Sequence, residues 1–589
     1  MSATAPESQH VVRSTPLRPL VPALVVAALL LVTAAALGRD LWFFSDDWNI
    51  FADYHDGNLL TPFNGHLSLL PAGVYQLLFH TVGVDSYLPY RLAGLASLAV
   101  LAFQVLRLAG VRLGDVGAHS SERGRRALGP ALVALVVAAV LWNSSGQMNL
   151  LFPFLMNFSL PIAALVAIWW HLDRADAQVG AGDGVHHGAL RHEAAASVWL
   201  VVALATSGLG LMTMAAVGVE LLVARAPSQC TRADRRRRWA VMSPGPILWA
   251  IWYVANRGAN EVSTDVPAVV AYSVRMFLGA TTSIAAGIGP LGVVLAIAVV
   301  GYFVVAALRW RSLDARTLGA LAAPATFIVF TAVTRLDIVP EIPPDELRYS
   351  WAVAAYLVLA LVLAARRRAL FDVQLPGVAW WAAIGVAVLV LVVGAVRLVG
   401  DLDDWNTQVA TARPGLSTVL FATEAVGAER IDPDLVIPLS YVPVTTGGYL
   451  AGVASVGSPI ADASAEDLGG AAYNRRFADE LLVDQLDIEA RAQAGTPCVG
   501  APVDPVGSDG VLELQPGSVV ELEGVRTGAL RLSRFAPNDE GQELSAPAEG
   551  TVRIEIPADD GSVASMPGLE QQYPYRLFVA GATPRSACG

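Results

Sequence analysis

The chain has 589 residues and no lysine, so all 39 of its cations are arginines. Without that amine there is no Schiff-base chemistry and no phosphate loop of the Walker type. Cysteine is nearly as scarce, with only Cys230, Cys498 and Cys588. Charged residues make up 15% of the chain, where a soluble domain carries about a quarter. Apolar residues take their place: 54% are hydrophobic and the mean hydropathy is +0.51. They come in uninterrupted blocks such as 128–141 and 376–396, close to the length that crosses a bilayer core.

The net charge of −12 is unevenly spread. Beyond residue 400 there are 28 acids against 11 arginines, so that part carries −17 and the rest +5. A mildly basic apolar part with an acidic tail does not fit nucleic-acid binding. A lysine-free chain rich in Ala, Val and Arg has the composition of a GC-rich actinobacterial protein.

Basic clusters at 107–126, 174–191, 225–238, 309–316 and 366–368 set the orientation, because positive loops stay on the cytoplasmic side. Successive clusters must then be separated by an even number of crossings. Spans at 19–38, 88–108, 127–143, 154–171, 195–207, 209–225, 239–256, 288–308, 317–334, 350–365 and 377–399 satisfy this. The stretch 195–225 has to leave and return in few residues, which predicts two short helices meeting at Ser207-Gly208. Short helices are tolerated where protein or a water-filled cavity covers their ends. The expected protein is thus an α-helical polytopic protein of the plasma membrane with about eleven transmembrane helices. Its N-terminus, 1–18, is cytoplasmic, its membrane domain is 19–399, and residues 400–589 lie outside the cytoplasm. The first apolar block is read as a span and not as a signal peptide, since no small-residue cleavage pattern precedes Trp42.

Three loops share the outer side: 39–87, 256–287 and 334–349. The first contains an amphipathic stretch, 66–82, expected to lie along the membrane surface, and 266–286 reads the same way. In the tail, 400–497 mixes helical patterning at 471–486 with short apolar runs, an α/β pattern. Residues 498–589 alternate apolar and polar, as in Val552-Arg553-Ile554-Glu555-Ile556, which predicts a small β-sandwich.

The outer loop 39–87 opens with Trp42-Phe43-Phe44-Ser45-Asp46-Asp47-Trp48-Asn49. Carboxylates beside a bilayer are expensive and call for a reason. One of the pair can take a proton from an attacking hydroxyl while the other orients it or holds a divalent ion. The bland alternative is a solvated helix end with interfacial aromatics. Other polar residues fall on the same side: Asn64, Gly65 and His66; Tyr90 and Arg91; Gln147 and Asn149; Arg335, Asp337, Glu341, Arg348 and Tyr349. Arginine suits phosphate recognition there, because its fork matches phosphate oxygens. Singly, His66 could be a helix cap, Arg91 a snorkelling cation, and Arg335 a partner of Asp337. The string Asp403-Asp404-Trp405-Asn406 repeats Asp46-Asp47-Trp48-Asn49 in unmatched surroundings and reads as a chance repeat.

The acidic pair after the first span, the long first outer loop with a surface helix, about eleven spans and an outer C-terminal domain resemble the GT-C class of membrane glycosyltransferases. The short motifs Ser45-Asp46-Asp47-Trp48, Asn64-Gly65-His66, Pro89-Tyr90-Arg91 and Arg348-Tyr349 carry the likeness, which covers 19–399 in architecture. It implies a hexosyl- or pentosyltransferase that uses a sugar on a polyprenyl phosphate and a cell-envelope glycan or glycoconjugate acceptor, with inversion. Asp46 or Asp47 would then be the base, and Mg or Mn, if used, would sit on the same pair. Arg91, Arg335 and Arg348 would hold the donor phosphate, while Asn64, His66, Tyr90, Asn149, Glu341 and Tyr349 would line the substrate site. At least one of His66, Arg91, Arg335 and Arg348 is expected roughly one sugar ring from the base. The chain departs from the class in lacking the Trp-Trp-Asp-Tyr-Gly signature of oligosaccharyltransferases, and its pair is Asp-Asp where several relatives have Asp-Glu. Two other readings stand beside this one. They are a transporter or flippase for lipid-linked glycans, which calls for inverted repeats and mid-span charges, and a non-catalytic scaffold for envelope assembly.

Export of the tail would put Cys498 and Cys588 where a disulfide forms. Intact-mass measurement of the secreted-side tail before and after reduction should show the two-proton difference of one bond. An unchanged mass would mean two free thiols.

Overall fold

A computed structural model describes residues 21–113, 128–180, 186–223, 232–256, 263–308, 313–336, 343–364, 377–439, 443–492, 510–526, 528–537, 540–547, 551–557, 572–579 and 583–588. The chain forms two compact units. One comprises Met1–Arg39, Leu59–Val74 and Tyr90–Asp404, the other Asp40–Asn58, Tyr75–Pro89 and Trp405–Gly589. Asp40–Asn58 and Tyr75–Pro89, within the stretch 39–87, cluster with the tail.

Six described helices are long and apolar enough to cross a membrane: Leu88–Leu113, Pro153–Gln178, Gly289–Leu308, Ala315–Arg335, Leu347–Ala364 and Ile384–Val426. Shorter apolar helices are Ala23–Leu37, Leu69–Val82, Pro130–Leu141 and Gly210–Val223. Helices built from Ala, Val and Leu satisfy every interior backbone group within the segment, which an apolar medium demands. Burial sorts them. Leu347–Ala364 is covered on all sides, including Trp351 and Tyr356, as expected of a helix apolar all round. Gly289–Leu308 instead exposes Val293, Val294, Ile297, Val300 and Val304 along one side and buries Gly292, Ala296 and Val299 on the other. At Gly292 the preceding helix, Val266–Ile284, comes so close that any Cβ would collide with Thr282, the small-residue contact that lets helices pack in a bilayer.

Helices His186–Thr206 and Gly210–Val223 are interrupted at Ser207-Gly208-Leu209, at the position the sequence indicates. The Ser207 hydroxyl donates to the Asn157 carbonyl at 2.6 Å and accepts the Leu209 amide at 3.2 Å. The far ends of these helices carry ion pairs. Glu193 is wholly buried and accepts from Arg237 at 2.9 and 3.1 Å and from Arg238 at 3.3 Å. Arg238 also reaches Asp176 at 2.6 Å, and Arg316 lies between Glu220, at 2.9 Å, and Asp173. A buried carboxylate such as Glu193 calls for partners of this kind or for an equivalent set of hydrogen-bond donors.

In the second unit, strands β1 (Val436–Ile437) and β2 (Val444–Thr445) form a small ladder ahead of helix Thr446–Val456. Beyond them come β3 (Ala490–Ala492), β4 (Val511–Leu514), β5 (Val519–Glu523), β6 (Leu530–Ser533), β7 (Gln542–Glu543), β8 (Thr551–Glu555), β9 (Tyr575–Val579) and β10 (Thr583–Cys588). These later strands make two antiparallel four-stranded sheets, ordered β10-β5-β8-β3 and β4-β9-β6-β7. Alternate residues of both sheets, among them Leu512, Leu514, Val520, Leu522, Leu532, Ile554 and Leu577, share one apolar core, as in a sandwich. Strand β3 precedes residue 498, so the sheet recruits a segment that the sequence pattern assigns to the α/β region. Cys498 lies outside the described residues and only the backbone of Cys588 is within them, so the expected disulfide lies outside them too.

Helix Ala472–Gln485 is fastened to this sandwich by one carboxylate. Buried Asp479 accepts the consecutive amides of Arg534, Phe535 and Ala536 at 2.8, 2.9 and 2.9 Å. Asp479→Ala would leave three amides without acceptors, at about 1–3 kcal/mol for each that water fails to reach. We expect a lower unfolding midpoint for the tail signal in the full chain. An unchanged midpoint would show that water replaces the carboxylate.

Candidate functional site

The acidic pair occupies the first turn of helix Asp46–Asp53, where the helix dipole favours negative charge. Ser45, the residue before it, has φ 50°, a left-handed conformation that a non-glycine residue holds only under constraint. Two residues on, Asp47 is held by several partners. Its side chain is buried. Tyr75 donates to one carboxylate oxygen, while Tyr87 donates to the other at 2.6 Å and the Phe44 amide joins it at 3.0 Å. Burial pushes Asp47 up to about 6, against the pull of its hydrogen bonds, and the neighbouring Asp46 charge adds to the rise. Asp46 itself is only half-buried. The two carboxylates are therefore not equivalent: Asp47 is enclosed and Asp46 reaches the surface.

Aromatic packing fixes the rest of this helix. Trp48 is enclosed by Trp42, Phe43, Phe51 and Tyr449 at centroid distances of 5.1 to 6.4 Å. Helix Thr446–Val456 presses against it so closely that a side chain at Gly452 would strike Phe51. Trp405 lies edge-on to Phe44 at 5.8 Å, so the repeated Asp-Asp-Trp-Asn string supplies a packing partner beside the loop. Tyr449 in turn donates to Glu424 at 2.5 Å, as Ser458 does at 2.8 Å. Tyr75 is a site residue that the sequence pattern does not single out. Its signal is a hydroxyl-bearing residue in the buried Ala72–Tyr75–Phe79 stripe of helix Leu69–Val82, since a buried hydroxyl needs a partner.

The other expected site residues belong to the first unit. Asn64 and Gly65, with φ 49° and 76°, form a two-residue hairpin closed by the Phe63 and His66 backbones at 2.8 and 2.9 Å. Asn64 is exposed, and its part is to turn the chain. The hairpin delivers His66 onto the break at Ser207-Gly208, where a Cβ on Gly208 would come within 2.9 Å of the imidazole. Burial, with a smaller contribution from the charge of Arg335, lowers His66 to about 4, so the ring is neutral at physiological pH. Tyr272 shares electrostatic contact with Arg335, Tyr349, Asp345 and Glu346, and Tyr349 packs on Phe158 and Phe327. The Arg348 guanidinium lies 5.4 Å over the Tyr349 ring and 3.9 Å from Glu346. His66, Arg335, Arg348 and Tyr349 are thus linked, with Tyr272 as a member that the sequence pattern does not mark.

Arg91 and Tyr90 stand apart from this group. Buried Arg91 donates to the Ala34 carbonyl at 2.9 Å and to that of Leu150 at 3.4 Å. It therefore caps the last turn of helix Val21–Leu37, whose final carbonyls have no intrahelical donor. Tyr90 is fully buried. Asn149 is buried, and neither its amide oxygen nor its nitrogen has a hydrogen-bond partner, an unmet polar capacity unusual in a folded interior. Asp337 and Glu341 lie outside the described residues.

A divalent cation does not fit the acidic pair well. Both Asp47 oxygens already accept hydrogen bonds, and the described residues contain no group of three or more His, Cys, Asp or Glu side chains able to hold a metal. Comparison with protein-family models, curated proteins and solved structures gives no match.

The raised Asp47 carboxyl has a thermodynamic consequence. Its unfolded value, near 3.8, is below its folded one, so the folded state binds the extra proton between about pH 4 and 6. Its contribution to stability is full below that window and is lost as pH rises through it, by about 3 kcal/mol at most. Unfolding midpoints of wild type and Asp47→Asn across pH 4 to 7 should diverge in that window, with the variant flatter. Parallel curves would mean that Asp47 is not enclosed as described.

Proposed function

We propose that this chain is a multi-pass membrane glycosyltransferase of GT-C-like architecture. It moves a sugar from a polyprenyl-phosphate donor to a cell-envelope glycan or glycoconjugate acceptor outside the cytoplasm. The observation that carries the reading is the asymmetric acidic pair. Asp47 is locked by Tyr75, Tyr87 and the Phe44 amide, and this holds Asp46 at the first turn of a buried helix with its own side chain only half-covered. A fixed, accessible carboxylate is what an acceptor hydroxyl needs as its base.

In this mechanism Asp46 takes the hydroxyl proton as the oxygen attacks the anomeric carbon. The bond to the phosphate oxygen breaks with inversion, and polyprenyl phosphate leaves as an anion. Within the first unit, Arg335 and Arg348 are the cations suited to a phosphate-bearing donor. Neutral His66, Tyr349 and Asn149 are polar groups of that same unit suited to hydrogen-bonding a sugar. Arg91, engaged with backbone carbonyls, shapes the bundle and does not bind the donor.

The proposed topology has eleven crossings, a cytoplasmic N-terminus and an extracytoplasmic tail. It is supported by the polarity of the first unit. Arg237, Arg238 and Arg316 gather with Asp173, Asp176, Glu193 and Glu220 at one end of their helices. His66, Ser207 and Arg335 mark the other end.

Membranes carrying the full chain, given labelled polyprenyl-phosphate hexoses and pentoses with an envelope glycan acceptor, should show transfer. Asp46→Asn should lower it by roughly 10²–10⁴-fold, with helical content and donor retention kept. Full activity in Asp46→Asn would end the base assignment. A wild-type chain that carries such donors across vesicles without cleaving them would replace the reading with a flippase.

A further inference from the structure

The arginine-rich end of the first unit holds two cations that its ion pairs do not neutralise. Arg107, on helix Leu88–Leu113, and Arg174, on helix Met156–Gly180, converge on the ring of Trp170, at 3.8 and 4.9 Å from its centroid. Arg107 donates to Gln104 at 3.0 Å. Among the described residues neither guanidinium meets a carboxylate. Each keeps a buried nitrogen without an acceptor, Nη2 of Arg107 and Nε of Arg174. Beside them His171 and His192 bring their Nδ1 atoms to 3.2 Å, and both rings lie edge-on to Trp170.

The neighbouring arginines differ. Arg237, Arg238 and Arg316, at the same end, are each matched by one or two carboxylates. Arg107 and Arg174 instead act on each other, and like charges brought together at a half-buried site call for an anion. Cation–π contact with Trp170 orients the guanidiniums but leaves their charge in place.

The surroundings indicate the class of anion. Phe103, Arg107 and Val111 succeed one another at four-residue spacing on one face of their helix, and Phe103 and Val111 are exposed, as are Leu88 and Leu92 further along the same helix. That is the apolar face a bilayer would cover, and Arg107 lies within two turns of the helix end. A guanidinium there sits at headgroup depth, and an indole beside it belongs to the interfacial belt. Basic pockets between spanning helices take phosphate-bearing lipid headgroups.

We propose that Arg107, Arg174 and Trp170, flanked by the His171–His192 pair, bind the phosphate of an anionic phospholipid at the arginine-rich end of the bundle. The site requires only that these helices lie in a bilayer. It is independent of whether the chain transfers sugar.

The test uses the full chain in nanodiscs of phosphatidylcholine, with and without phosphatidylglycerol, reading bound lipid by native mass spectrometry and the thermal midpoint. Phosphatidylglycerol should be retained and should raise the midpoint, while inorganic phosphate should not. Arg107→Gln with Arg174→Gln should weaken retention by about tenfold or more. Arg107→Lys with Arg174→Lys should restore most of it, and the exposed Arg236→Gln should leave it unchanged. Circular dichroism confirms that each variant keeps its helices. Equal retention in the double Gln variant would overturn the site, and so would an equal loss in Arg236→Gln. Stabilisation by inorganic phosphate alone would assign the pocket to a soluble phosphate and overturn the lipid.

Discussion

A buried carboxylate organises the most telling part of this molecule. Asp47 would ordinarily be solvated, yet here it is enclosed, with two phenols and a backbone amide as its solvent. Those partners come from residues 44, 75 and 87, so one side chain draws three stretches of the long first loop into a single arrangement. Removing any donor would leave an enclosed carboxylate short of hydrogen bonds, which is costly in a low-dielectric setting. The left-handed Ser45, the short helix that begins at Asp46 and the aromatic shell around Trp48 all accommodate this arrangement.

The same principle recurs with different chemistry. Asp479 is solvated by three consecutive amides, Glu424 by a phenol and a hydroxyl, and Glu193 by two guanidiniums. A chain with so few charged residues cannot neutralise them by chance encounters. Each of these acids has a built set of donors, and the sets fall where elements must be joined: a loop to a helix, a helix to a sheet, one helix end to the next. Apolar burial supplies the bulk of the packing, while the carboxylates fix which segments meet.

The described residues thus assign distinct duties to groups that look alike in the sequence. Asp47 positions and Asp46 is presented. Arg91 caps a helix, Arg335 and Arg348 sit among aromatic and acidic neighbours, and Arg107 and Arg174 share one indole. On the proposed reading, arginine's permanent charge and planar fork suit it to all three settings.

Sequence alone determined the features that period and composition encode. Apolar runs of helical length, the break at Ser207-Gly208, helix 471–486 and the alternation from residue 511 onward are visible because burial leaves its repeat in the chain. His66, Arg335, Arg348 and Tyr349 were expected on one side from the sign of the flanking charges, and what the structure shows is their linkage through Tyr272 within the first unit. Tertiary structure decided the rest. Nothing local shows that Asp40–Asn58 and Tyr75–Pro89 cluster with the tail, or that strand β3 joins a sheet begun after residue 498. Adjacent aspartates are identical as residues, and only the approach of Tyr75 and Tyr87, 28 and 40 positions away, makes one of them enclosed and the other accessible. Long-range contacts of this kind leave no periodic trace, because they depend on which surfaces meet and not on how often a residue type recurs.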